Sequence, residues 1–157
     1  MLTESHKKSL CIVFEKSRRT VSELQATLQD IPAPWSLTIC AGAGMLLGDL
    51  YMSVENILRL FIDGVYKEKI AKDDSWHKHL IEAGNKKGLL PPDIEPTLSG
   101  MRRFRHRLTH GYGVEMDEAL LRENIPEAIR AYEKVETHIK SLFPELNGWH
   151  AVEDSSE

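Results

Sequence analysis

The sequence predicts an all-α fold, an up-down bundle of four to five helices. Two observations carry that expectation. Apolar residues recur at spacings of three and four through most of the chain, and no run alternates with period two for long enough to make a strand. A repeat of about 20 to 50 residues, the sign of a solenoid, is also absent from the sequence.

The first helix is read from Leu10, Phe14, Ser17, Val21, Leu24, Leu28 and Ile31, which share one stripe. Pro32 and Pro34 end it. The second is expected from near Trp35 to about Lys69, with Leu47, Leu50, Tyr51, Val54, Ile57, Leu58, Phe61 and Val65 as its apolar face. Gly42, Gly44 and Gly48 lie in its first half, each costing about 1 kcal/mol against alanine. Close approach of another helix would explain them, and a break near 41–43 is the alternative. Ser75 or Asp74 caps a short third helix through Trp76, Leu80 and Ile81. Gly84 to Pro96 reads as the main loop. A fourth helix from about Thr97 carries Leu98, Met101, Arg105 and Leu108 and ends near Gly111. Asp117 caps a short turn. Asn124 and Glu127 then resemble a capping box, with Pro126 in the first turn of the last helix. Pro144 stops that helix.

Size and composition set limits. The chain has 157 residues, 41% hydrophobic and 28% charged, which fits one domain over residues 1–150. The acidic, serine-containing segment 151–157 reads as a disordered tail. A formal net charge of −4 argues against a surface coated for non-specific nucleic-acid binding. Cys11 and Cys40 sit in apolar runs and read as buried reduced thiols. No CxxC pair supports a thiolate zinc site. The N-terminus does not resemble a signal peptide. The apolar stretch from Leu37 to Leu50, interrupted by glycines and Asp49, is too short and polar to span a bilayer. Cytoplasmic location, with no membrane association, is the expectation.

Chemistry concentrates in Arg103 to Tyr112, where arginines and two histidines precede Gly111. Arginine grips phosphate and histidine moves protons near neutral pH. Arg105 and His110 lie five positions apart, about 140° around a straight helix. They converge only if the helix ends at Thr109–Gly111, where glycine permits a left-handed turn. The plainer role for Arg105 is to satisfy the helix's terminal carbonyls. His106 and His110, four apart, share a face and could hold a metal with Glu115 or His77 as third ligand. His77 and His79 otherwise read as surface histidines. Asp49, Tyr51 and Glu55 interrupt the apolar second helix. A carboxylate there is either solvated or paired with a buried cation, for which Arg105 is the natural candidate. Asp49, Asn56 and Asp63 recur every seven residues, as an exposed stripe would. No phosphate-binding glycine loop, GxSxG elbow or kinase signature is present.

Arg105, His110 and Tyr112 spell R-x4-H-x-Y. This resembles the HEPN superfamily, and the tyrosine is the form seen in its HepT-like toxins. Gly48 to Leu58 looks like the second helix of HepT-like proteins. Ser75-Trp76-His77-Lys78-His79-Leu80 looks like their Trp-His segment, and Phe104 to Asp117 like their Phe-Arg-His…Tyr-Gly…Asp stretch. The resemblance covers most of Thr38 to Phe143. It implies a metal-independent, cofactor-free ribonuclease toxin acting on RNA. It also implies a minimal, MntA-like nucleotidyltransferase antitoxin that can AMPylate Tyr112, and a homodimer with the motif at its cleft. Arg105 and His110 would be catalytic, with His106, Asp49 and Glu55 in support. The rival readings are a non-catalytic HEPN module that binds a nucleotidyltransferase or its substrate, and a metal-binding helical bundle.

Overall fold

A computed structural model describes residues 2–110 and 117–149, the side chains of Thr109 and His110 excepted. Its helices are α1 (Glu4–Asp30), α2 (Leu37–Arg59), α3 (Trp76–Lys86), α4 (Glu95–His110) and α5 (Glu118–Leu142). A π-helical turn (Leu60–Val65) extends α2, and a single 3-10 turn (Pro144–Leu146) follows α5. No strand occurs among the described residues, so the fold is an all-α bundle.

α2 is the axis of the bundle. It packs against α1, α4 and α5 along its length and against α3 near its C-terminal half. Leu47, Leu50, Val54, Ile57 and Leu58 are buried, as its apolar face predicts. Across from them sit Leu10, Phe14, Val21 and Leu24 of α1 and Ile125, Ala128, Tyr132, Val135 and Ile139 of α5. The segment Leu37–Val65 spans 29 residues and contains an 18-residue window of mean hydropathy 1.5, long and apolar enough to cross a membrane by length and composition. Half of that apolar window is nonetheless buried inside the bundle, as in the core helix of a globular domain.

Several boundaries differ from expectation. α2 runs unbroken through 41–43, and the helical stretch stops at Val65 rather than near Lys69. α4 does cross α2 at Gly48. A β-carbon there would lie 3.7 Å from Arg105 Cγ and 3.9 Å from Leu108 Cδ1, ordinary contact distances, so alanine would fit. Gly42 faces open space, and nothing in the structure explains it. Close packing does favour glycine at Gly84, which belongs to α3 and not to the loop. A β-carbon there would stand 2.8 Å from Leu58 Cδ2. Ser75 starts α3 without a side-chain cap, and its own N–H donates to Asp73 Oδ1 at 2.9 Å. Cys11 and Cys40 are free thiols, but only Cys40 is buried.

The last helix shows the largest difference. α5 begins at Glu118, and Asp117 is its N-cap, accepting from the Ala119 N–H at 2.9 Å. Asn124 is no cap: its side-chain amide donates to the Leu120 carbonyl at 2.7 Å. Pro126 therefore lies inside a continuous helix, flanked by the buried Ile125, Ala128 and Ile129 that hold the helix on course.

Glu118 ties this helix start to the α1–α2 linker. It accepts from the Trp35 backbone N–H and from Arg122 Nε at 3.0 Å, while the Arg122 guanidinium stacks 4.2 Å from the Trp35 ring centroid. The Trp35 N–H, and then Arg122, hold the Glu118 carboxyl below its ordinary value of 4.5. A lowered folded-state value contributes stability above 4.5 that is lost as pH falls through the folded value. Glu118→Gln is therefore expected to flatten the decline of Tm in that acid window and to leave the neutral-to-alkaline profile parallel to the parent's, as read by thermal melts across pH.

Candidate functional site

The described chemistry gathers where α2, α3 and α4 meet. Glu55 sits on the inner side of α2 and is 4% exposed. A carboxylate so buried needs a partner, and His77 at the start of α3 supplies it: His77 Nδ1 lies 2.6 Å from Glu55 Oε2. The adjacent Trp76 ring stacks on His77 with centroids 3.7 Å apart, and the Arg59 guanidinium lies 4.2 Å from the Trp76 centroid. Arg105 reaches the same place from α4. Met52, Glu55, Asn56, Arg59, Trp76, His77 and Arg105 line one pocket of about 90 Å3.

Tyr51 is buried on α2, within electrostatic reach of Glu55 and Arg105. Burial first, then the charge of Glu55, push its phenol well above the ordinary value of 10, while Arg102 and Arg105 pull the other way. Its hydroxyl is close enough to feel Glu55 yet makes no hydrogen bond of regular geometry among the described residues. A buried hydroxyl without a good partner costs stability. Tyr51→Phe is expected to raise the unfolding free energy by about 1 kcal/mol in urea titration.

Sequence-expected residues separate here. Arg105 is half-buried and lines the pocket. Glu55 also lines it, but its close partner is His77 and not Arg105. His77 is accordingly no surface histidine: its side chain is 21% exposed and held by a buried carboxylate. His79 does behave as a surface group, 3.5 Å from Asp73 and 3.8 Å from Glu82. Asp49 is half-buried on α2 and does not line the pocket. His106 is exposed on α4 and does not line it either. The His110 side chain, Tyr112 and Glu115 lie outside the described residues, as does the segment 151–157. Among the described residues no group of three or more His, Cys, Asp or Glu side chains is placed to hold a metal ion.

The surroundings are basic. Arg102, Arg103, His106 and Arg107 are exposed on the second half of α4, beside the half-buried Arg105. Against a chain of net charge −4, this is a concentrated positive surface. A larger pocket of about 300 Å3 lies between α2, α4 and α5, lined by Leu47, Thr97, Met101, Arg103, Phe104 and Asn124 among others. No histidine lines it, whereas in the smaller pocket His77 meets the buried Glu55.

The HepT-like protein family matches residues 42–146, two thirds of the chain, and the chain belongs to that family. The match begins inside α2 and ends at the 3-10 turn, so it takes in the pocket and leaves out α1. No curated protein and no solved structure matches the chain.

Proposed function

We propose that this protein is a metal-independent endoribonuclease, the toxin of a two-gene toxin–antitoxin system. The observation that carries the reading is Arg105, on a basic half-helix of a HepT-like chain, lining one pocket with the Glu55–His77 pair. Arg105 would bind a non-bridging phosphate oxygen and stabilise the charge that grows there in the transition state. His110, at the end of α4, would perform one of the two proton transfers that RNA cleavage requires. Asp49 and His106 would act from the rim, Glu55 from within. An MntA-like nucleotidyltransferase antitoxin would transfer AMP to Tyr112, setting negative charge and bulk beside the motif and blocking RNA.

A dimer agrees with the surface of α2. Met45 and Met52 are 67% and 39% exposed, and with Ala41 they form an apolar stripe leading to Asn56 and Arg59 at the pocket. Two copies joined there would set two basic α4 helices around one RNA strand. In this reading the domain is residues 1–150, followed by a tail at 151–157, working in the cytoplasm without a membrane.

Purified protein is expected to cleave RNA in the presence of EDTA, and His110→Ala to abolish cleavage and toxicity in cells. After co-expression with a nucleotidyltransferase encoded beside it, the Tyr112 peptide is expected to gain one adenylyl group by mass spectrometry. Undiminished activity of His110→Ala would sink the proposal. The net charge of −4 favours a second reading, a non-catalytic module that binds the nucleotidyltransferase or its substrate. That reading expects a stable complex and no cleavage by the protein alone.

A further inference from the structure

We infer that His77, held by Glu55, is the general base of this site, the group that takes the proton from the ribose 2′-oxygen. The inference rests on the ribonuclease reading above. Cleavage of an RNA phosphodiester by its own 2′-oxygen moves two protons. One leaves O2′ as the O2′–P bond forms, and one reaches O5′ as the P–O5′ bond breaks. The products are a 2′,3′-cyclic phosphate and a free 5′-hydroxyl. One imidazole cannot accept the first proton and donate the second in a single concerted step, so a second group is needed.

His77 has the required form. A carboxylate only accepts hydrogen bonds, so the 2.6 Å contact with Glu55 places a hydrogen on Nδ1. Whenever the ring is neutral, its lone pair is therefore on Nε2, the arrangement a carboxylate–histidine pair gives to a base. The pair is built rather than incidental. Glu55 is 4% exposed, the Trp76 ring stacks on the imidazole, and Arg59 stacks on Trp76 in turn. The charged groups that line the pocket beside the pair are Arg59 from α2 and Arg105 from α4. Two guanidiniums there would draw a phosphodiester toward the imidazole.

The test compares His77→Ala with His77→Asn, whose amide can keep donating to Glu55 without titrating. His77→Asn is expected to retain the parent's thermal melt within a few degrees, and His77→Ala to melt lower because it leaves Glu55 buried without its partner. Each is expected to lose about 10²–10⁴-fold in single-turnover cleavage and to lose the acidic limb of the pH–rate profile. A substrate with sulfur at the bridging 5′ position needs no acid for its leaving group. It is expected to leave both His77 variants impaired and to restore His110→Ala. Recovery of the His77 variants on the sulfur substrate, or an acidic limb that survives in His77→Asn, would overturn the inference while the ribonuclease reading stands. A parent protein that cleaves no RNA would remove both together.

Discussion

Arg105→Ala is expected to lower RNA cleavage by about 10²–10³-fold, the loss typical of one donor aimed at developing charge. It is expected to leave the fold in place. The Arg105 side chain is half-buried, and its stem rests by Gly48 without entering the core. Truncation therefore removes a guanidinium from the pocket and little packing. Arg105→Lys is expected to recover only a small part of the lost rate, because a point charge cannot replace the planar fork that meets two phosphate oxygens. The readout is single-turnover cleavage in EDTA beside a thermal melt. A variant with parent-like cleavage and a parent-like melt would take Arg105 out of the chemistry. A collapsed melt would show instead that it holds α4 against α2.

The helices were legible because their apolar stripes are long and have one period. Leu10 to Leu24 and Leu47 to Phe61 read as buried faces and are buried. Boundaries were less legible where two local signals competed. Asn124, Glu127 and Pro126 together look like a helix start, but Asp117 caps the chain earlier, and the apolar residues on both sides of Pro126 carry the helix through. Gly84 looked like loop punctuation because a sequence does not show Leu58 waiting 2.8 Å from its missing β-carbon.

The site was half legible for a related reason. From its place on an apolar helix Glu55 had to be either solvated or paired with a buried cation, and its burial decides for pairing. Which partner it takes depends on how α3 folds back on α2 through the 66–75 connection, and no periodicity encodes that. Arg105 and His77 were both available in sequence, and the fold gives the close contact to His77.

Removing α1 is the change with the largest expected effect on the fold, although the family match starts beyond it. A chain beginning at Trp35 would keep the pocket residues and the whole matched region. It would lose Leu10, Phe14, Val21 and Leu24, four side chains that are at most 8% exposed. At roughly 1.5–3 kcal/mol each, their burial is worth about 6–12 kcal/mol, the size of a typical domain's entire net stability of about 5–15 kcal/mol. What they leave behind is worse than a gap. α2 and its π turn form the most apolar helix of the chain, and α1 is one of the walls that keep it from water. The truncated chain is expected to be insoluble or to associate, with no cooperative urea transition. A single Phe14→Ala in the full chain is expected to remain folded and to lose about 3–5 kcal/mol. A soluble, cooperatively unfolding product from residues 35–157 would mean that α4 and α5 suffice to cover α2, and that α1 is an accessory to the HepT-like core.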